Sequence, residues 1–111
     1  MLSLPPAVRV FVCRQPTDMR KSFDGLCALV ESVLERDPFS GHLFVFANRN
    51  RDKVKILYWD RSGFSLLYKR LEEGTFWLPE QSEIGSRELM MMLEGLHESE
   101  VRQRRRYQRR A

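Results

Sequence analysis

Lys53, Lys55, Leu57 and Trp59 alternate with Val54, Ile56 and Tyr58 in the run Lys53–Asp60. In an extended chain successive side chains point to opposite faces. Two lysines and a tryptophan therefore share one face, and three apolar residues share the other. Cations that meet phosphates beside an aromatic ring that stacks a base make a nucleic-acid surface. The same face beneath a helix is ordinary packing, with lysine stems lying along the indole. Arg49, Arg51 and Arg61 stand at the two ends of the run and add charge there.

Carboxylates offer a second chemistry, because DNA-cutting enzymes hold metal ions with them. Asp18, Asp24, Asp37, Asp52 and Asp60 are the candidates. Asp52 and Lys55 resemble the acid-plus-lysine pairing of restriction-type nucleases. Three residues apart on a strand, they point to opposite faces and do not converge. Asp60 beside Ser62-Gly63 is equally a turn former. His42 and His97 stand outside any cluster of Cys, His and carboxylates, so a zinc site has little support. Neither a P-loop nor a G-x-S-x-G elbow is present. Cys13 and Cys27 read as small core hydrophobes. These patterns favour a non-catalytic binding protein that needs no cofactor, with a metal-dependent nuclease subunit as the alternative.

A length of 111 residues with 42% apolar content suits one globular domain. The N-terminal residues lack the pattern of a signal peptide or a membrane span, which predicts a cytoplasmic protein with no membrane partner. The net charge of +4 is local. Arg102, Arg104, Arg105, Arg106, Arg109 and Arg110 supply six of the 19 basic residues within one nine-residue stretch. Such a run is an electrostatic footprint for polyanions, or a solvated tail without a dedicated partner. The expected organisation is a globular domain over residues 1–100 and a flexible basic tail over 101–111.

Several elements must position these groups. Val8–Cys13 alternates and is apolar on both sides except at Arg9, which predicts an internal strand. Apolar residues at 19, 23, 26, 30, 33 and 34 predict a helix, firm from Ser22 and stopped by Asp37-Pro38. His42–Ala47 and Lys53–Asp60, joined by the polar residues 48–52, predict a β-hairpin. Phe64, Leu67, Tyr68 and Leu71 recur at helical spacing, so a second helix is expected there. Alternation of Phe64, Leu66 and Tyr68 is the rival strand pattern. Phe76–Leu78 reads as a short extended piece and Glu80–Gly85 as a loop. Ser86 starts a last helix with Glu88 in its first turn. Glu98→Arg102 and Glu100→Arg104 are i,i+4 pairs that could extend it. The predicted class is α+β: a small mixed or antiparallel sheet containing a hairpin, with about three helices packed on it and a basic C-terminal tail.

Four motifs then occur in order: Thr17-Asp18-Met19-Arg20-Lys21, Asp37-Pro38-Phe39-Ser40-Gly41, Lys55-Ile56-Leu57-Tyr58-Trp59-Asp60, and Lys69-Arg70-Leu71-Glu72-Glu73-Gly74-Thr75-Phe76. Together they resemble the small accessory protein (TnpB or Orf2-like type) of the insertion sequence 66 family of bacterial transposable elements. The resemblance runs from about Val8 to Leu96 and leaves the tail outside. It implies a non-catalytic factor in DNA transposition that binds DNA, the separate transposase of the same element, or both. A protein-only adaptor is the further alternative. The resemblance adds Lys69 and Arg70 to the candidate contacts. Asp18, Arg20, Lys21 and Asp60 match its motifs with open roles, and Asp18–Arg20 is a candidate ion pair at a helix start. No catalytic residue is carried over.

Overall fold

The computed structural model describes residues 7–95. His97, the extension of the last helix beyond Leu96 and the arginine tail lie outside the described residues. Five strands form one mixed sheet in the order β4-β3-β2-β1-β5. They are β1 (Val10–Val12), β2 (Leu43–Ala47), β3 (Lys53–Trp59), β4 (Phe64–Arg70) and β5 (Glu83–Ile84). Helices α1 (Phe23–Ser32) and α2 (Ser86–Leu93) complete the described elements. β1 and β2 run parallel, so the chain must return between them, and α1 occupies that crossover. β2, β3 and β4 form an antiparallel meander.

Strand periodicity divides the core in two. Val10, Val12, Leu43, Val45, Val54 and Ile56 pack with Leu89, Met92 and Leu93 of α2. Phe11, Cys13, Phe44, Phe46 and Leu57 pack with Leu26 and Val30 of α1. The sheet therefore lies between two helices, with alternate residues of each central strand buried on opposite sides.

The hairpin of β2 and β3 forms as its alternation predicts, with Val45 opposite Ile56. Two helices are present among the described residues where about three were expected, because Phe64–Leu71 is not a helix. Its residues 64–70 form β4, paired with all seven residues of β3. Both periods fit this run, and the open edge of β3 decides between them. The turn before it is closed by Asp60, whose carboxylate accepts the N–H groups of Ser62 and Gly63. Arg61 takes the left-handed φ of 82° there.

α1 begins at Phe23, as expected for a start at Ser22, although the Ser22 side chain makes no capping bond. It ends at Ser32, ahead of Asp37-Pro38. Glu35 turns to φ 54° and the Arg36 N–H reaches back to the Val30 carbonyl, closing the helix before the proline acts. α2 begins at Ser86, but the N-cap position is Gly85, whose N–H is received by Glu88. Phe76–Leu78 joins no ladder, and the strand falls instead at Glu83–Ile84, paired with β1. The chain between β4 and β5 thus crosses from one edge of the sheet to the other. Leu71, Phe76 and Leu78 pack onto the α2 side on the way.

Candidate nucleic-acid interface

Register places the cations. On the α1 side, Lys53 lies opposite Arg70, Lys55 opposite Tyr68, Leu57 opposite Leu66 and Trp59 opposite Phe64. α1 covers the Leu57 end of this face. Near Lys53 two loops border it instead, residues 16–20 and residues 48–50. Between them lies an open groove of about 690 Å³, lined by Asp18, Arg20, Asn48, Arg49, Asn50, Lys53 and Tyr68 among others. It adjoins a smaller concavity of about 330 Å³ lined by Lys53, Tyr68, Arg70 and Glu72. Four cations and two carboxylates line the pair, so the surface is net cationic.

Each loop has a local reason for its shape. Asn48 accepts the N–H groups of Asp52 and Lys53 and donates to the Asp52 carboxylate. That donation is the main reason the Asp52 carboxyl sits below its ordinary range. The loop is thereby closed at its base, and Arg49 and Asn50 project from its exposed tip. In the other loop Asp18 receives the Arg20 guanidinium at 2.7 Å and the Arg20 N–H at 2.9 Å. The guanidinium is the larger cause of an Asp18 pKa lowered to about 2. The expected Asp18–Arg20 ion pair is thus present, but in the loop before α1 and not at the helix start. Arg70 is likewise paired with Glu72 at 2.8 Å, whereas Arg49 and Lys53 have no ion pair among the described residues.

Titration of the Asp18 carboxyl by NMR should give a midpoint of about 2. In Arg20→Ala it should return toward the ordinary value of about 3.9. A depressed carboxylate pKa stabilises the fold above the unfolded value, and the contribution is lost as pH falls through the folded one. The pair therefore acts above about pH 4 and disappears toward pH 2. An Asp18 midpoint unmoved by Arg20→Ala would remove the guanidinium as its cause.

Lys55 corrects the expectation of an exposed lysine pair. It does share the face of Lys53 and Trp59, but only 6% of it is exposed. Its ammonium donates to the carbonyls of Met19 at 2.8 Å and Lys21 at 2.7 Å. Gly25 of α1 lies close against this loop. A Cβ there would stand 3.2 Å from Lys21 Cβ. The same ammonium lies 4.6 Å from the ring centre of Tyr68.

The remaining candidates are dispersed. Arg61 sits at the far end of β3, about 20 Å along the strand from Lys53. Trp59 is there too, packed edge-on with Phe39 and Phe64 at centroid distances of 5.0 Å. Lys69 alternates with Tyr68 and Arg70 and so belongs to the opposite face of the sheet. Arg51 is exposed outside the groove lining, and Lys21 contributes its carbonyl to Lys55. Asp60 is occupied by its own turn, which holds its carboxyl below the ordinary range. Among the described residues no group of three or more His, Cys, Asp or Glu could hold a metal ion. Nor is any helix there long and apolar enough to cross a membrane.

Sequence reasoning missed Tyr68, which it assigned to a helix stripe. Tyr68 is 51% exposed and lines both concavities. The available signal was the rival alternation, which on a strand groups Tyr68 with Arg70. Asn48 and Asn50 carried no signal beyond turn chemistry.

Residues 8–103 match the family described as IS66 Orf2-like protein. Two uncharacterised proteins of Sinorhizobium fredii (strain NBRC 101917 / NGR234) are similar. With y4jC the chain is 42% identical over 79 residues, covering 71% of this chain and 68% of the relative. With y4hO it is 39% identical over 79 residues, covering 71% and 69%. No solved structure matches.

Proposed function

This chain belongs to the IS66 Orf2-like family, and from that membership we propose that it is a non-catalytic accessory factor in transposition of an insertion sequence, holding DNA in the cationic groove. The family itself points to a transposition-associated accessory role. The observation that carries the DNA reading is convergence. Three separate stretches, residues 16–20, 48–53 and 68–70, bring Arg20, Arg49, Lys53 and Arg70 to two adjoining concavities that share Lys53 and Tyr68. Arg49 and Lys53, without an ion pair among the described residues, are the cations best placed to meet phosphate. The commitment of Asp18, Asp52 and Asp60 to bonds within their own loops supports the non-catalytic part. The tail arginines stand in the same proposal as a separate, sequence-tolerant contact.

A contact with the transposase of the same element is the second reading. It is favoured by the Phe39, Trp59 and Phe64 cluster at the other end of the hairpin, where Phe39 is 57% exposed.

Each cation on a phosphate releases counterions, so the test is the salt dependence of DNA binding by the full chain. Arg49→Ala with Lys53→Ala should flatten the slope of log affinity against log salt by about 2. An unchanged slope and affinity would take the groove out of DNA binding. Capture of the transposase by the same double variant, without DNA, would then leave the adaptor reading.

A further inference from the structure

Tyr68 is held in a way that phosphate binding alone does not require. It lies on β4, at the edge of the sheet, with half of it exposed to the groove. The ammonium of Lys55 stands 4.6 Å from its ring centre. That ammonium is itself fixed by two carbonyls of the stretch before α1, those of Met19 and Lys21. The ring thus rests on a buried, anchored cation and presents its remaining surface outward. An aromatic ring held in place by a cation is a rigid platform on which the π-face of a base can stack. Beside it, Arg70 lies two residues along β4 and Lys53 two residues along β3 from Lys55, each step about 7 Å. Opposite stands the loop closed by Asn48, with Arg49 and Asn50 at its tip.

We infer that the groove takes unpaired nucleic acid: one base stacks on Tyr68, and the flanking phosphates meet Lys53, Arg70 and Arg49. The inference rests on the proposed DNA reading of this groove and narrows it to a strand whose base is free of its duplex partner. A paired base cannot offer its face, because its neighbours in the stack already cover it. Stacking on one aromatic is tolerant of base identity, whereas cations on phosphates do not distinguish single strands from duplex in this way.

The test uses the full chain and oligonucleotides of about 12 nucleotides. These are a single strand, its duplex, and the single strand with abasic positions, followed by fluorescence anisotropy at fixed salt. Tyr68→Ala should weaken the intact single strand about tenfold or more. It should leave the duplex and the abasic strand within about twofold of the unsubstituted protein. Tyr68→Phe should bind as the unsubstituted protein does. Tyr68→Leu keeps an apolar group over Lys55 without an aromatic face, and it should repeat the Tyr68→Ala loss should that variant fold poorly. Equal losses for intact and abasic strands, or no loss in Tyr68→Ala and Tyr68→Leu, would overturn the platform. If Arg49→Ala with Lys53→Ala still weakens every DNA in that case, the groove reading stands and only the platform falls. If that double variant weakens none of them, both fall together.

Discussion

Lys55→Glu should unfold this protein, while Lys53→Glu leaves it folded. The two lysines lie two residues apart on the same face of β3, and formal charge reversal treats them alike. Their surroundings do not. The Lys55 ammonium is withdrawn from water and satisfied by the Met19 and Lys21 carbonyls. A carboxylate there would face two carbonyl oxygens without a donor. Losing the ammonium takes the donor from both carbonyls, and placing an unpaired carboxylate against them costs several kcal/mol more. A domain with a total stability of about 5–15 kcal/mol has little left after that. At about 4–8 °C per kcal/mol the midpoint should fall by tens of degrees, or the cooperative transition should vanish.

Lys55→Met separates the contributions. It retains packing against Tyr68 but takes the donor from both carbonyls, which stay part-buried, so the loss should be smaller than in Lys55→Glu, about 1–3 kcal/mol. Lys53 instead stands at the groove opposite Arg70, a like-charged cross-strand pair. Reversing it should shift stability by no more than about 0.5 kcal/mol, and repulsion relieved at Arg70 acts in its favour. Urea denaturation of the three variants reads all of this. A Lys55→Glu midpoint equal to that of the unsubstituted protein would mean that the ammonium is not held between those carbonyls.

Phe76→Ala should give the other large loss. Phe76 lies in no helix or strand, yet it is 1% exposed and sits in the core on the α2 side. It anchors the stretch that crosses the sheet from β4 to β5. Truncating a buried phenylalanine costs about 3–5 kcal/mol through lost burial and the cavity left behind. The effect should reach the groove by a specific route. The Phe76 N–H donates to the Arg51 carbonyl, and the Leu71 N–H donates to the Asp52 carbonyl. These two bonds tie the crossing stretch to the basic loop. In Phe76→Ala, amide exchange at Leu71 and Phe76 should accelerate well beyond that of Phe44 and Val45 in β2, because local opening needs less free energy than global unfolding. Leu78→Ala, at a half-buried position, should cost clearly less. A loss below about 1 kcal/mol for Phe76→Ala would show that the stretch is not anchored there.

Read residue by residue, the sequence determined the local half of this protein. Strict alternation from Lys53 to Trp59 put Lys53, Lys55 and Trp59 on one face, since strand geometry allows no other grouping. The apolar spacing of Leu26 and Val30 made α1. Asp18 and Arg20, two residues apart, formed their ion pair within one loop. The four motifs that carry the family resemblance were legible as composition and order alone.

What each face meets was decided only in three dimensions. Alternation says that Val54 and Lys55 point oppositely, but it does not say which side a helix covers. Here α1 and α2 cover opposite sides, so both faces of the central strands are buried. Lys55 is buried because a loop about 35 residues earlier in the chain brings two carbonyls to its ammonium. Phe64–Arg70 satisfies periods of 2 and 3.6 at once, and the open edge of β3 selected the strand. That choice turned Tyr68 from a presumed helix-stripe residue into the exposed ring of the groove. Glu83–Ile84 is a strand of two residues, too short for any pattern, and exists because β1 had a free edge. Periodicity is a property of neighbours in the chain. Cover, pairing and the convergence of Arg20, Arg49, Lys53 and Arg70 belong to residues distant in sequence, and only packing brings them together.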